Sequence, residues 1–160
     1  MRRTFLALAP LLMVGSMFVG AAPAQADAAN GICEAGARLT SYTTTEPAYS
    51  TMGTLMWRIS YTKRWCYNYT AHSVTSWTAR TSVQFYNGMG NVWHYEGISD
   101  SDAYYSSRNA LGVATRYPRF SHVSWIKAHM RHCAVVWAFC TDEYYHLGIQ
   151  AFSDGSKKLA

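Results

Sequence analysis

The segment from Trp57 to Tyr67 constrains the fold more than any other part of the sequence, because its side chains alternate in character. Most of its odd positions hold large aromatic or aliphatic residues, and the full set is Trp57, Ile59, Tyr61, Lys63, Trp65 and Tyr67. Its even positions hold arginine, serine, threonine and cysteine. Successive residues of a strand point to opposite faces of a sheet. This period of two predicts a β-strand with one face in a core.

The alternation recurs in the segment Val74–Tyr86, whose apolar face consists of Trp77, Ala79, Val83 and Phe85. Further strands are predicted at Val92–Ile98, Tyr104–Tyr105, Leu111–Tyr117, Phe120–His129 and Tyr144–Phe152. Such closely spaced strands are typical of antiparallel sheets. We therefore expect an all-β fold, an antiparallel two-sheet sandwich of about seven to eight short strands, with a small β-barrel as the alternative.

Turn-forming residues separate the predicted strands. Asn87–Asn91 contains an Asn-Gly pair, which readily supplies the positive φ angles of a hairpin turn. This segment predicts a hairpin that pairs Val74–Tyr86 with Val92–Ile98. The next polar segment, Ser99–Asp102, is predicted to be a loop.

The first 26 residues have the three parts of a signal peptide. Arg2 and Arg3 precede the uncharged apolar run Phe5–Gly20, and Ala24–Ala26 is a small-x-small cleavage site. The arginine pair also permits twin-arginine export, although the short charged region favours the general secretory route. We expect a secreted protein without membrane insertion after signal cleavage, since the apolar run is shorter than the roughly 20 residues of a membrane-spanning helix.

Cleavage after residue 26 leaves 134 of the 160 residues, which is enough for one domain. We expect a flexible arm over residues 27–35, a single sandwich over 36–156 and a frayed tail over 157–160, in a monomer. Loss of the two leader arginines lowers the formal net charge from +5 to +3, and the remaining basic residues are scattered. This distribution predicts no nucleic-acid partner.

The four cysteines all follow the leader, and an even number in an exported chain predicts two disulfides. Of the three possible pairings we favour Cys33–Cys66 with Cys133–Cys140. In a straight strand Cys133 and Cys140 would be about 23 Å apart, so their pairing requires a loop or hairpin between them.

Four features together resemble a group of small, uncharacterised secreted proteins of actinomycetes. They are the segment Trp57–Asn68, the pattern Trp93-x-Tyr95-x-Gly97-Ile98, the pair Cys133 and Cys140, and the closing Asp154-Gly155-Ser156. The resemblance covers most of the mature chain and implies export, disulfides and a β fold. Its motifs are structural in type, so it implies no catalytic residue.

Aromatic residues are the best candidates for ligand contact. Those nearest the predicted turns are Trp93, Tyr95, Tyr104 and Tyr105. Neighbouring Tyr104 and Tyr105 must point to opposite faces, so one of them is a candidate for exposure. Exposed aromatics stack on sugar rings or anchor a protein partner, whereas buried ones complete the core. The favoured hypothesis is a non-enzymatic binding module for a glycan, a cell-wall component or an extracellular protein, contacted near residues 87–105.

Two alternative functions remain open from the sequence. A small polysaccharide hydrolase would use Glu96 and Glu143 as a carboxylate pair across a groove. An inhibitor or toxin-like antagonist of an exported protein would present the loop between Cys133 and Cys140.

No metal or other cofactor is expected. His129 and His132 point to opposite faces of a strand, which does not suit a shared zinc ion. Asp100 and Asp102 lack the glycine and the closing glutamate of a calcium-binding loop.

Overall fold

A computed structural model describes residues 30–134 and 139–160, and within them the fold is almost entirely β. The strands are β1 (Arg38–Tyr49), β2 (Leu55–Asn68), β3 (Ser73–Phe85), β4 (Trp93–Ser106), β5 (Ser121–Ala134), β6 (Phe139–Phe152) and β7 (Lys157–Leu159). One antiparallel sheet has the order β1-β2-β3 and the other β4-β5-β6-β7. The predicted all-β, two-sheet fold is confirmed.

The core lies between the two sheets, on the side of β2 that the alternation predicted. Trp57 and Ile59 are fully buried, and Tyr61 is 2% exposed. They form one cluster with residues of the opposite sheet, which are Trp93, Ile126, Ala128, Met130, Leu147 and Ile149. A second, smaller cluster contains Trp65, Val74 and Ala151. The core face predicted for Val74–Tyr86 also packs inward, with Ala79, Val83 and Phe85 against the first cluster and Trp77 against the second.

The predicted hairpin between Val74–Tyr86 and Val92–Ile98 is wrong. Strand β3 pairs with β2, whereas β4 pairs with β5 in the other sheet. Asn87 and Gly88 do adopt the expected left-handed conformation, with φ of 51° and 73°. The 3₁₀ turn Met89–Asn91 then follows and leads the chain across to the second sheet. A turn sequence fixes the local backbone but does not decide which strands pair.

The strand boundaries also differ from prediction in the second half of the chain. Ser99–Asp102, predicted as a loop, lies within β4, whose pairing with β5 shifts register on both sides of Ile98. Leu111–Tyr117, predicted as a strand, contributes only an isolated bridge between Arg108 and Ala114. Residues 157–159, predicted to fray, instead form β7 along β6.

Both favoured disulfides are present, one at each end of the sandwich. Cys33–Cys66 ties the segment before β1 to the end of β2. Cys133 and Cys140 are directly opposed in the β5–β6 hairpin, with their Cα atoms 4.1 Å apart. The hairpin that this pairing required is therefore formed. Two disulfides are compatible with an oxidising, extracellular environment.

Candidate functional site: a cleft between the sheets

The four predicted ligand aromatics occupy different environments. Trp93 is 7% exposed and packs in the core, 5.7 Å from Trp57 between ring centroids. Tyr105 is partly buried against the second core cluster, whereas Tyr104 is 49% exposed. The opposite orientations predicted for these tyrosines are confirmed. Burial removes Trp93 from the set that could meet a ligand, because its side chain supports the core.

Tyr95 lines a concave surface. It borders a cleft of about 610 Å³ between β3 of one sheet and β4 and β5 of the other. The lining residues are Tyr61, Trp77, Ala79, Arg80, Thr81, Tyr95, Ile98, Ser101, Asp102, Ala103, Ser124, Trp125 and Ile126. The volume falls within the range of small-molecule binding sites, roughly 300–1,000 Å³. We refer to it below as the β3–β4 cleft.

The irregularity of β4 shapes the cleft. The pairing of β4 with β5 shifts register between Tyr95 and Gly97 and again between Ile98 and Asp100. A register shift of this kind leaves an extra residue in one strand, which bends that strand and changes the direction of its side chains. Gly97 has a φ of 111°, which L side chains rarely adopt. Most residues of β4 after Tyr95 are exposed, so the strand forms an open wall.

The cleft combines an apolar wall with groups that can form hydrogen bonds. Trp77, Ala79 and Tyr95 supply partly buried aromatic and aliphatic surface. Arg80 and Asp102 are exposed on β3 and β4, and they contribute charges of opposite sign. A ligand in this cleft would therefore meet a flat apolar surface, a cationic donor and an anionic acceptor.

A buried hydroxyl pair lies at the inner side of the cleft. The Tyr61 hydroxyl donates to Ser124 Oγ across the two sheets at 2.8 Å. Burial raises the pKa of Tyr61, although the hydrogen bond with Ser124 partly offsets this effect. The phenol therefore stays protonated at neutral pH and joins β2 to β5 as a neutral donor.

Behind Trp77 lies a second cross-sheet contact, between Lys63 and His122. The Lys63 side chain is fully buried, and Nζ donates to the carbonyl oxygens of His122 at 2.7 Å and Ile149 at 2.9 Å. Nδ1 of His122 lies 2.9 Å from the same Nζ. The His122 ring packs 4.3 Å from that of Trp77 between centroids. These contacts fix the inner side of Trp77 against the core.

The pKa values of both bases are lowered. Burial lowers the pKa of Lys63 to about 7. The pKa of His122 is lowered to about 3, mainly by burial and to a smaller extent by the neighbouring Lys63 charge. The imidazole is therefore neutral at physiological pH. The alternation had placed Lys63 on the core face, but its partner is 59 positions away along the chain. The unexpected lysine was the sequence signal for this polar contact, and nothing local identified the histidine.

The predicted carboxylate pair does not assemble. Glu143 is aligned with the buried Met130 and accepts a hydrogen bond from the Tyr145 hydroxyl on the inner face of the sheet. Glu96 lies 3.9 Å from Arg131, whose side chain also binds Asp142 on the outer face. The two glutamates are therefore on opposite faces of one sheet. A hydrolase that places both across a single groove does not fit this arrangement.

The outer face carries its own charged cluster. Asp142 accepts a hydrogen bond from Arg131 at 2.9 Å and lies 2.7 Å from His129 Nε2. The hydrogen bond from Arg131 is the main cause that holds the pKa of Asp142 below its usual range. His132 instead stacks on Trp93, so the two histidines point to opposite faces as predicted. In the described part of the chain, no group of three or more His, Cys, Asp or Glu side chains could hold a metal ion.

No family model matches the sequence, and the searches of curated proteins and of solved structures gave no match either. Within residues 30–134 and 139–160, no helix has the length and apolar character needed to cross a membrane.

Proposed function

We propose that the chain is an exported, non-enzymatic binding module that holds a glycan in the β3–β4 cleft. The observation that carries this proposal is the cleft itself, with Trp77 and Tyr95 on its walls and Arg80 and Asp102 on opposite sides. The leader sequence and the two disulfides support an extracellular place of action.

A glycan suits the cleft for two reasons. The faces of a sugar ring are weakly apolar and pack on rigid aromatic side chains such as Trp77 and Tyr95. Its hydroxyl groups both donate and accept hydrogen bonds, which matches an arginine and a carboxylate that line the same cleft from its two sides. A protein partner would more often use a larger, flatter surface than a concave site of about 610 Å³.

The proposal excludes catalysis by the predicted pair, because Glu96 and Glu143 are separated by the sheet. The antagonist hypothesis concerns the loop between Cys133 and Cys140, of which residues 135–138 lie outside the described residues. The antagonist function stays a prediction, and the β3–β4 cleft does not support it.

A pull-down with insoluble polysaccharides and cell-wall sacculi tests the proposal, with soluble sugars assayed in the same tubes. We expect the oxidised exported chain to be retained without release of sugar. Released sugar would contradict the non-enzymatic function, and failure to bind any glycan would contradict the ligand class.

Two aspartates provide a matched pair of variants for locating the site. Asp100 and Asp102 are both exposed on β4, and each carboxylate accepts the backbone N–H of the next residue, at 2.8 and 2.7 Å. Asp102 lines the cleft. Asp102→Asn should weaken retention severalfold, because a charged acceptor becomes a neutral one. Asp100→Asn should bind like the wild type, and equal losses for both variants would place the ligand elsewhere.

A further inference from the structure

The connection from β4 to β5, residues 107–120, exposes an apolar tip. Leu111 is 88% exposed and Val113 is 58% exposed, at the turn of a small hairpin closed by the bridge between Arg108 and Ala114. Isolated exposed apolar residues are common, but two at the end of one projecting turn form a local apolar surface. This tip lies outside the β3–β4 cleft and takes no part in the function proposed above.

The tip is held in one shape by hydrogen bonds. Asn109 Oδ1 accepts the backbone N–H groups of Leu111 at 3.0 Å and Val113 at 2.9 Å. The Arg108 guanidinium donates to the carbonyl oxygen of Gly112 at 2.6 Å. Gly112 has a φ of 79°, which its lack of a side chain permits. Because these bonds consume polar groups of the turn, the two apolar side chains are presented outward on an ordered backbone.

The base of the tip is strongly basic. Arg108, Arg116 and Arg119 are exposed, and the sequence contains no Asp or Glu between Asp102 and Asp142. Within the described residues none of the three arginines pairs with a carboxylate. Arg116 instead lies over the Tyr117 ring and Arg119 over the Tyr105 ring, at 5.0 and 4.2 Å from the centroids. The positive charge is therefore available to an external anion.

Exposed aromatic surface adjoins the same end of the sandwich. The backbone N–H of Val74 donates to the Arg119 carbonyl, which ties the connection to the β2–β3 turn. In that turn Tyr69 is 67% exposed, and His72 lies between it and Tyr117, with ring centroids 6.0 and 4.6 Å apart. Tyrosine is favoured at membrane–water interfaces because one end of its ring is apolar and the other is polar.

We propose that residues 107–120 form a peripheral contact site for an anionic lipid surface. Leu111 and Val113 enter the outer part of the bilayer, and the three arginines contact the acidic headgroups. A hydrated polyanion would satisfy the arginines but would leave the apolar tip in water, so the two parts together favour a lipid. Such contact rests on a few side chains at the surface and differs from insertion of a membrane-spanning segment.

Vesicle sedimentation tests this proposal with the oxidised exported chain. One set of vesicles contains phosphatidylglycerol with phosphatidylcholine, and the other contains phosphatidylcholine alone. We expect binding to the anionic vesicles and little to the neutral ones, with a decrease as the salt concentration rises. Equal binding to both sets, or none to either, would overturn the proposal.

The variant Leu111→Ser/Val113→Ser tests the apolar tip. Its affinity for anionic vesicles should fall about tenfold or more, because the transfer of one leucine side chain from water corresponds to at least that factor. Both side chains are largely in solvent, so the melting temperature should not change. Met52→Ser is the matched control, since Met52 is 89% exposed in the β1–β2 turn at the other end of β2. Equal losses for the tip variant and the control would overturn the proposal.

A second pair of measurements separates a lipid from a free polyanion. Arg116→Gln/Arg119→Gln should reduce binding to anionic vesicles severalfold. The second measurement is binding to a soluble phosphate-rich polymer. If the wild-type chain binds this polymer as strongly as it binds anionic vesicles, and the Leu111→Ser/Val113→Ser variant binds the polymer equally well, the surface is a polyanion site. That result would overturn the lipid proposal.

Discussion

The two halves of the inter-sheet core hold the sheets together by different means. Near the Cys133–Cys140 end, Trp57, Ile59 and Met130 meet as apolar side chains with no measurable exposure. Toward the Cys33–Cys66 end, Lys63 binds groups of His122 across the sheets, and both side chains are buried. The first half depends on volume and shape, whereas the second combines a smaller apolar cluster around Trp65 with hydrogen bonds that must all be formed.

The polar half is also the half that supports the candidate site. Tyr61 and Ser124 form a cross-sheet hydrogen bond and line the β3–β4 cleft, and His122 packs on the inner side of Trp77. Directional bonds fix positions more narrowly than apolar contacts do. The polar contacts therefore hold Tyr61 and Trp77 in place at the cleft wall, whereas the other half contains the larger apolar cluster.

Removal of a large side chain from the apolar half should have the largest effect. Trp57→Ala should lower the free energy of unfolding by about 3–5 kcal/mol, because it leaves a cavity in a fully buried cluster. Urea denaturation measures this loss, and Tyr104→Ala, at a site 49% exposed, is the control with a much smaller effect. An unchanged stability of Trp57→Ala would contradict the assignment of the apolar half.

The disulfides at the two ends should contribute unequally. Cys33–Cys66 spans 33 positions and Cys133–Cys140 spans 7. In the chain-entropy account, Cys33→Ala/Cys66→Ala should cost about 4 kcal/mol and Cys133→Ala/Cys140→Ala about 2 kcal/mol. Thermal unfolding of the two double variants measures the difference. The reverse order would show that native contacts near the bridges outweigh the effect on the unfolded chain.

Lys63→Met tests the polar half through pH. The variant removes a donor from two buried carbonyl oxygens and should cost about 2 kcal/mol at pH 9.5. The folded-state pKa of Lys63, about 7, lies below the ordinary 10.5, so between these values the unfolded chain binds more protons. Wild-type stability therefore rises from pH 7 to 9.5.

The variant lacks this titration, so its deficit relative to the wild type should be largest at pH 9.5 and should shrink toward pH 7. Urea denaturation of the wild type and of Lys63→Met at several pH values gives the difference in their free energies of unfolding. Titrations of all other groups occur in both proteins and therefore cancel in this difference. Parallel stability curves would show that Lys63 keeps an ordinary pKa in the folded protein.

Tyr61→Phe should have the smallest effect on stability. It removes one hydrogen bond and leaves Ser124 Oγ without that partner, which should cost about 1 kcal/mol. The double variant Tyr61→Phe/Ser124→Ala should cost less than the sum of the two single variants, since both lose the same bond. Strict additivity would mean that the two hydroxyl groups do not interact.

The sequence predicted which face of a strand points into the core better than it predicted which strands pair. The alternation in β2 identified Trp57, Ile59 and Lys63 as core-facing because side-chain direction is a local property of a strand. The wrong hairpin after β3 shows the limit, since the same turn residues also permit the chain to cross to another sheet. The sequence does not predict β1, because this threonine-rich segment has no apolar period comparable with that of β2.

The candidate site was predictable only in part. The aromatic character of Tyr95 predicts its place at the site, but the same sequence reasoning predicts Trp77 only in the core and Trp93 at the ligand. The cleft depends on how β4 bends and on how the two sheets are placed, and both are properties of distant contacts. The His122 partner of Lys63 was hidden for the same reason.

The position of a bound glycan would show whether the β3–β4 cleft is the binding site. Backbone amide resonances of the oxidised protein, residues 27–160, can be followed while soluble cell-wall oligosaccharides are added. We expect shifts concentrated in residues 77–81 and 95–103, with a weaker response in the Asp102→Asn variant than in Asp100→Asn. Shifts confined to the outer face around Tyr104 and Tyr144, or no shifts at saturating sugar, would contradict this expectation.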